Sequence, residues 1–579
     1  MKNAALPVPG ILFGAYPERR AAAVARVAGP RRSPSPFAAL PGVPASGQYR
    51  RFIASVRAIQ SRTLPTAKAD APRRVHELRS AFSRHGLTEA LMAEAFALIA
   101  EASARLLGKA PYDTQLMAAR VILDNRLAEM ATGEGKTLAA GIAAATAALA
   151  GIPVHVITAN DYLAARDAQA LQPVFHALGL TVGNILPAMN SDTRRRNYDC
   201  DLVYCTAKEL AFDYLRDGLG RQRHRSELER RAAELATGNA PGTRKTLLRG
   251  LCMAIVDEAD SILIDDARVP LVISEPSRNP QSAQYLAGAL ELAASLILET
   301  EFTLDRPGMT ATLTTQGRAR IEEACVSNGT AWRNRLHREE TVCQALAALH
   351  LYERDRNYLV REDGIVIIDE ATGRAAPGRV WSRGLHQLIE VKEGREPTGE
   401  TATAAQITYQ RFFQRYLALG GMSGTLREAR AELASVYGLR IIEIPTHRPC
   451  RREVLPTRLF GDRAAQMRAV VSEVATLSHS GRPVLIGTDS VAASQELSRL
   501  LAGAGVAHKV LDASQDREEA QVVALAGQRG RVTVATNMAG RGTDIALGEG
   551  VAQLGGLHVI SCQLNASARI DRQLAGRCA

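Results

Sequence analysis

Aromatic side chains and paired cysteines are both scarce in this sequence. Phe, Trp and Tyr make up 4% of the 579 residues, so a base-stacking platform for single-stranded nucleic acid is not indicated. None of the eight cysteines lies in a C-x₂-C pair or beside a histidine cluster. Several occupy apolar runs, as small core residues do. We therefore predict a reduced, cytosolic protein without structural zinc.

Long apolar runs are scarce as well. No sustained apolar core lies between Met1 and Arg20, so no secretory signal is evident. The most apolar stretch, Leu138–Ile157, contains Gly, Thr and Pro and follows a glycine-rich loop. It predicts a buried helix and strand rather than a membrane span.

The charge balance is positive. Lys and Arg number 71 against 60 Asp and Glu, which gives a net charge of +11. Such a balance favours a polyanionic partner, either nucleic acid or the anionic face of a membrane. An arginine-rich surface that only keeps the protein soluble explains the same charge, so composition leaves both interpretations open.

The segment Met130–Thr137 (MATGEGKT) has the pattern of a phosphate-binding loop. Its glycines, Gly133 and Gly135, let backbone N–H groups close on phosphate oxygens, and Lys136 neutralises the terminal phosphates. The hydroxyl of Thr137 suits Mg²⁺, and the helix predicted to begin here points its positive end at the same anion. The loop predicts binding of a nucleoside triphosphate.

A second motif, Ile255–Asp260 (IVDEAD), supports this interpretation. The apolar run Met253–Val256 predicts a buried strand, and parallel strands present acidic residues at their C-terminal ends, where nucleotides bind. We assign Asp257 to Mg²⁺ and Glu258 to the attacking water. Together the two motifs predict hydrolysis of the triphosphate.

Alternating strand and helix patterns predict α/β units with parallel sheets. Predicted strands are Val154–Thr158, Leu202–Cys205 and Met253–Val256, then Val484–Gly487, Lys509–Asp512, Val532–Thr536 and Leu557–Ser561, with Gly364–Asp369 in an intervening region. The predicted domains are a flexible segment rich in Pro and Arg (1–75), a first nucleotide-binding domain in two parts (76–276 and 376–450), a domain inserted into it (277–375), and a second motor domain (451–579).

The second α/β unit contributes a polar loop to the predicted nucleotide cleft. The segment Thr536–Asp544 (TNMAGRGTD) presents Arg541 and Asp544 just beyond a predicted strand. An arginine delivered across a cleft stabilises charge in the transition state, whereas a carboxylate holds ribose or relays domain closure. The nucleotide is therefore expected between the two units.

Several longer strings resemble the SecA family, the ATPase motors of preprotein translocation. They are TANDYLAARD at 158–167, FDYLRD at 212–217, DSILIDDAR at 260–268, WSRGLHQ at 381–387, GMSGT at 421–425 and TNMAGRGTDI at 536–545. The resemblance covers roughly residues 85–577. It implies an α/β fold with two P-loop, RecA-like motor domains and an inserted α+β domain in the first. The Pro- and Arg-rich composition of residues 1–75 adds the expectation of a partly disordered, at most partly helical N-terminus.

The resemblance also assigns roles to residues. It implies that Gln115 reads the adenine edge of ATP and that Asp544 contacts the nucleotide. Asp257 and Glu258 would serve metal and water, and Arg541 and Arg577 would act on the transition state. The implied phosphate and Mg²⁺ site consists of Gly133, Glu134, Gly135, Lys136 and Thr137.

As a SecA-like motor, the chain is expected to drive post-translational export of unfolded preproteins through the SecYEG channel. The inserted domain falls where the family places its preprotein cross-linking domain. The expected location is the cytoplasm, with peripheral attachment to an anionic phospholipid surface on the cytoplasmic face of the cell membrane. Nucleic acid is not expected as a partner, and a homodimer is compatible with the resemblance.

The chain also departs from the family pattern. The family continues past its last arginine motif, QLxGRxxRQG, into a helical scaffold, a wing and often a zinc-binding tail. Here Arg577 matches the first arginine of that motif, and the sequence stops at Ala579. Gln563–Ser567 differs from the usual ERHES. Because an arginine finger is worth about 10³–10⁵ in turnover, weak hydrolysis is one expectation.

Two alternatives stay open at this point. One is a helicase-type ATPase acting on RNA or DNA, which the positive charge suits. Against it, the chain has TANDYLAARD where such motors place PTRELA. The other alternative is an ATP-binding remnant with weak hydrolysis.

Overall fold

The computed structural model describes most of the chain. The described residues are 6–10, 12–19, 46–63, 71–222, 246–277, 280–306, 308–324, 332, 334–354, 356–361, 364–368, 375–376, 381, 384–398, 400–488, 490–511, 522–523, 525–536, 545–565 and 567–578. They divide into two compact units, one formed by Met1–Leu271 with Gln406–Ala579 and the other by Val272–Ala405.

The strands and helices of the described residues are numbered in chain order. The strands are β1 Leu127–Glu129, β2 Val154–Thr158, β3 Val182–Asn184, β4 Leu202–Thr206, β5 Met253–Asp257, β6 Pro270–Ser277, β7 Phe302–Asp305, β8 Thr310–Leu313, β9 Tyr358–Arg361, β10 Gly364–Ile368, β11 Ala375–Ala376, β12 Glu400–Thr408, β13 Ala418–Ser423, β14 Ile441–Glu443, β15 Val484–Thr488, β16 Lys509–Leu511, β17 Val532–Thr536 and β18 His558–Ser561. The helices are α1 Ser46–Thr63, α2 Ala71–His85, α3 Glu89–Leu107, α4 Asp113–Leu123, α5 Lys136–Leu149, α6 Asp161–Ala177, α7 Ser191–Tyr198, α8 Ala207–Gln222, α9 Pro280–Ala294, α10 Thr315–Ala324, α11 Arg335–His350, α12 Leu385–Lys392, α13 Tyr409–Phe413, α14 Arg430–Tyr437, α15 Arg463–His479, α16 Val491–Gly503 and α17 Ala568–Ala575.

The first motor domain is built on a parallel sheet. Within the described residues its strand order is β14-β1-β13-β5-β2-β4-β3. Every residue of β2, β4 and β5 is buried, as expected for apolar strands covered on both faces. Glu129 pairs with Ser423, and Asp257 pairs with Met422. The sheet thus brings the C-terminal ends of β1, β13 and β5 to one edge.

The second motor domain has a smaller parallel sheet. Its order among the described residues is β16-β17-β15-β18. Val484, Ile486, Val532 and Val534 are buried between this sheet and the helices α15 and α16. The predicted parallel α/β units are therefore confirmed, with strand ends that differ from the prediction by at most one residue.

The second compact unit, Val272–Ala405, is mixed α+β. It holds the antiparallel hairpin β7–β8 and the antiparallel strands β9, β10 and β11. Strands β6 and β12 also pair with each other. Leu388 and Ile389 of α12 are buried in the same core as Phe302 and Tyr358, so α12 belongs to this unit.

The N-terminal region contains more structure than its composition predicts. Helix α1 lies inside the segment predicted to be flexible, and it buries Tyr49, Phe52, Ile53 and Val56 against the first core. These positions recur at helical spacing, so the helix gains a continuous apolar face. The segment 1–75 was expected to be flexible or at most partly helical, and α1 is a helical part of it. Residues 20–45 lie outside the described residues.

A short N-terminal strap, residues 16–19, lies under the first sheet, at the end opposite the phosphate loop. The backbone N–H of Leu251 donates to the carbonyl of Pro17 at 2.6 Å, and that of Arg19 donates to Arg415 at 2.8 Å. The hydroxyl of Tyr16 donates to Asp217 at 3.3 Å. The strap is thus held by the segments that lead into β5 and β13.

No helix in the described ranges is both long enough and apolar enough to cross a bilayer. The charged segment 221–231 lies outside the described residues except for its first two residues, which end α8.

Candidate nucleotide-binding site

The phosphate loop joins β1 to α5. Gly133 and Gly135 have φ values of 82° and 81°, a backbone region that favours glycine. A Cβ atom on Gly135 would collide with the side-chain amide of Gln115, so a side chain here would require that amide to move. Helix α5 begins at Lys136, and its first N–H groups are therefore available for an anion.

Lys136 and Glu258 form a close ion pair. The distance from Lys136 Nζ to Glu258 Oε1 is 2.6 Å, and the two side chains are 11% and 12% exposed. Burial lowers the pKa of Lys136, but attraction to Glu258 and Asp257 outweighs it, so the pKa lies above its ordinary value. The structure thus joins the two sequence motifs in one charged site.

Asp257 ends β5 beside this pair. Burial raises the pKa of Asp257 to about 7, against the opposing effect of Lys136 and with support from Glu258 and Asp167. The backbone N–H of Glu258 donates to Asp257 Oδ1 at 2.9 Å. Thr137 Oγ1 donates to Asp167 at 3.4 Å, so hydroxyl and carboxylate oxygens surround the first turn of α5.

Glu258 has an uncommon backbone conformation. Its φ is 50°, a region that non-glycine residues adopt at a cost of about 1–3 kcal/mol. The hydroxyl of Ser423 approaches the second carboxylate oxygen of Glu258 at 3.4 Å. The turn after β5 thus aims this carboxylate at the phosphate loop.

Gln115 lies beside the loop. Its Oε1 accepts from the backbone N–H of Tyr112 at 2.9 Å, and its Nε2 donates to the carbonyl of Glu134 at 2.9 Å. The Tyr112 ring stacks on His447 with 3.7 Å between centroids. The backbone N–H of His447 donates to the Glu134 carboxylate at 2.9 Å. Gln115 therefore belongs to a network around the phosphate loop.

A cavity of about 310 Å³ lies between the two motor sheets. The first domain lines it with Thr132, Gly133, Lys136, Thr137, Asp257 and Glu258, and the second with Leu511, Ala535, Ile545, Arg572, Gln573 and Arg577. The structure therefore brings Arg577 to the same cavity as the two motifs. Arg541 and Asp544 lie outside the described residues.

Comparison with known proteins identifies the family. A model described as the SecA DEAD-like domain matches residues 44–434, and one described as the SecA P-loop domain matches residues 449–553. The chain belongs to the SecA family. This assignment confirms the predicted SecA-like ATPase and its fold class, with two P-loop motor domains.

Three relatives illustrate the similarity. Protein translocase subunit SecA 2 of Nitrosospira multiformis is 48% identical over 87% of this chain and 75% of its own length. Protein translocase subunit SecA 3 of Magnetococcus marinus is 46% identical over 87% of this chain and 76% of its own. Protein translocase subunit SecA of Nitratidesulfovibrio vulgaris is 41% identical over 91% and 60%.

One polar network of this SecA-family chain was not predicted from the sequence. Asp260, fully buried, accepts hydrogen bonds from Ser423 and Thr425 at 2.6 Å each. Arg569 donates to it at 3.0 Å, and Gln573 also donates to it. The available signal was the helical spacing of polar residues at 569, 572 and 573, which places them on one face of α17.

The oxygen atoms near the loop are of the type that Mg²⁺ binds. Mg²⁺ prefers hard oxygen ligands and usually combines one or two protein groups with phosphate oxygens and waters. Thr137 and Asp257 supply a hydroxyl and a carboxylate in this cavity. In the described part of the chain, no group of three or more His, Cys, Asp and Glu side chains forms a metal cluster. The hydroxyl of Thr137 and the carboxylate of Asp257 fit Mg²⁺ brought in with a nucleotide.

Proposed function

We propose that this chain is an ATP-driven motor for post-translational export of unfolded preproteins through the SecYEG channel. The observation that carries the proposal is the Lys136–Glu258 pair, held at 2.6 Å in a cavity that both motor domains line. The relatives' shared description as protein translocase subunits supports a translocation role. ATP binding would link the two sheets, and hydrolysis would release them.

Each residue of the loop has a proposed role. The backbone of Gly133, Glu134 and Gly135 would bind phosphate oxygens, and Lys136 would pair with the terminal phosphates. An arriving phosphate would draw Lys136 away from Glu258, which would then accept a hydrogen bond from the attacking water. The supporting geometry is the direct contact between these two side chains.

Thr137 and Asp257 would hold Mg²⁺, which when bound offsets the charge that develops on the phosphate oxygens. Gln115 is assigned to the adenine edge by its resemblance to the SecA pattern, and its Nε2 donates to the carbonyl of Glu134 in the phosphate loop. Arg577 is proposed to stabilise the transition state from the second domain. Arg541 and Asp544 keep their proposed roles in the same cleft.

The remaining assignments concern partners. We propose that residues 272–405 contact the unfolded polypeptide and that the basic surface binds anionic phospholipid at the cytoplasmic face of the membrane. A homodimer is part of the same proposal. Nucleic acid is not a proposed substrate.

The first test is ATP turnover by the purified chain and by Lys136→Ala and Glu258→Gln. We expect each substitution to lower kcat/KM by roughly 100-fold or more, because one removes the phosphate cation and the other the group that orients water. Arg458→Gln changes an exposed ion pair with Glu473 and serves as the control. Equal turnover by all four proteins would contradict the proposal.

The second measurement separates translocation from helicase activity. Turnover should rise with SecYEG-containing vesicles and an unfolded preprotein, and it should not rise with single-stranded RNA. Stimulation by RNA alone, with a steep dependence on salt, would favour a nucleic-acid motor instead.

A further inference from the structure

Helix α17 connects the second motor domain to the first. Arg569 donates to Asp260 at 3.0 Å and also pairs with Asp265, while Gln573 donates to Thr425 at 3.1 Å. Between them on the same helical face lies Arg572, which the sequence analysis did not single out. All of these contacts cross from α17 to the first motor domain.

Arg572 forms ion pairs with two carboxylates of the first domain. Its Nη1 donates to Glu129 Oε1 at 2.9 Å, and its Nη2 donates to Glu428 Oε2 at 2.7 Å. The side chains of Arg572, Glu129 and Glu428 are 22%, 10% and 33% exposed. A guanidinium presents its donors in a fixed fork, so it sets both distance and orientation.

The two carboxylates lie close to the phosphate loop and to the end of β13. Glu129 ends β1, directly before the phosphate loop, and Glu428 lies in the short turn Arg427–Ala429 after β13. Burial raises the pKa of Glu129, and Arg572 opposes that rise. Arg572 therefore holds the second domain against the entrance of the phosphate loop.

The segment after α17 carries Arg577. It forms the turn Gly576–Cys578, which continues the helix. A Cβ atom on Gly576 would lie 3.3 Å from the hydroxyl of Thr132, so this turn packs directly on the phosphate loop. Arg577 lines the same cavity as Lys136 and Glu258. Its position relative to the loop thus depends on how α17 is anchored.

We propose that Arg572 is a positioning residue for ATP hydrolysis: its clamp on Glu129 and Glu428 fixes α17 against the phosphate loop and so places Arg577 in the cavity. In this role Arg572, whose side chain also lines the cavity, acts on Arg577 through the anchoring of α17. The inference rests on the proposed function, because it assigns Arg572 a part in the hydrolysis proposed above.

The main test compares kcat with ATP affinity in Arg572→Gln. Loss of the clamp should lower kcat about tenfold, equivalent to about 1.4 kcal/mol, because Arg577 is no longer held in place. The Kd for ATP, measured by calorimetry, should stay within about threefold, because the phosphate loop itself is intact. Arg572→Lys keeps the charge but not the fork, and its kcat should fall between those of wild type and Arg572→Gln.

A double-mutant cycle identifies the partner. Glu428→Gln should lower kcat by about threefold. The double variant should be no slower than Arg572→Gln alone, since the contact between Arg572 and Glu428 is already lost in Arg572→Gln. Arg458→Gln again controls for loss of an arginine ion pair away from α17. If Arg572→Gln does not fold, Arg572→Lys and Glu428→Gln provide the same comparison.

The outcomes distinguish the two proposals. An inactive wild-type protein would overturn the proposed function. An active wild type whose Arg572→Gln variant turns over within twofold would overturn only the positioning role, as would single losses at Arg572 and Glu428 that multiply in the double variant.

Discussion

Lys136, Asp257 and Glu258 place three ionisable groups in one buried corner of the cavity. The lysine offsets two carboxylates there, and removing one partner of such a pair leaves a buried charge uncompensated. Part of any stability loss in Lys136→Ala would therefore come from the carboxylates it leaves behind. For this reason the activity of that variant should be measured at a temperature at which the variant is fully folded.

His155 provides a different case, a buried imidazole that contacts a tyrosine hydroxyl. It lies within β2, is 4% exposed, and its Nδ1 is 2.7 Å from the hydroxyl of Tyr416. Burial lowers the pKa of His155 to about 3, and repulsion from Arg249 adds to the effect. The folded protein therefore keeps this imidazole neutral at pH values where the unfolded chain protonates it.

The folded pKa lies below the unfolded value near 6.5, so stability is retained above pH 6.5 and lost as pH falls toward 3. At pH 5 the loss from this group should be about 2 kcal/mol. We expect His155→Gln to be less stable at pH 7.5 but to lose less of its melting temperature between pH 7.5 and 5. The exposed His176→Gln is the control, and identical pH dependence in all three proteins would contradict the prediction.

Gly250 and Pro17 show how an element is anchored by close backbone approach. Gly250 has a φ of 99°, and a Cβ atom there would lie 2.5 Å from Cδ and 2.6 Å from N of Pro17. The N-terminal strap occupies this space and lies outside the residues that match the SecA domain models. The strap therefore holds the segments that lead into β5 and β13.

Gly250→Ala tests that anchoring. The substitution combines backbone strain with displacement of the strap, so we expect a loss of about 1–3 kcal/mol in the free energy of unfolding. Gly151→Ala is the matched control, because Gly151 has a φ of 80° with nothing within 4 Å of an added Cβ. Equal losses of melting temperature in the two variants would show that the strap contributes nothing.

The elements also show which predictions a single sequence supports. The bounds of β2 and β17 were predicted correctly because each is a short apolar run between turn residues. The bounds of helix α1 were not predicted because the Pro- and Arg-rich composition around it hid its apolar face. Arg569 and Arg572 were not predicted for another reason. Their partners lie on a different domain, and no local sequence pattern shows which residues of two domains will meet.

The whole molecule carries a net charge of +11. On that basis we expect it to sediment with vesicles containing anionic phospholipid at low salt. Binding should disappear at high salt, because screening shortens the electrostatic range to about 3 Å at 1 M. Vesicles of zwitterionic lipid alone are the control. Binding that is equal on both vesicle types, or insensitive to salt, would contradict an electrostatic membrane contact.

The strand order of the first sheet has a consequence for synthesis. Strand β1 pairs with β13 and β14, and β5 pairs with β13, yet all of Val272–Ala405 is made in between. A nascent chain that has reached residue 405 therefore has β1 and β5 without their partner strands β13 and β14. Unpaired strand edges of this kind promote aggregation. A chain released before residue 418 would be prone to self-association, so uninterrupted elongation through β13 limits aggregation during synthesis.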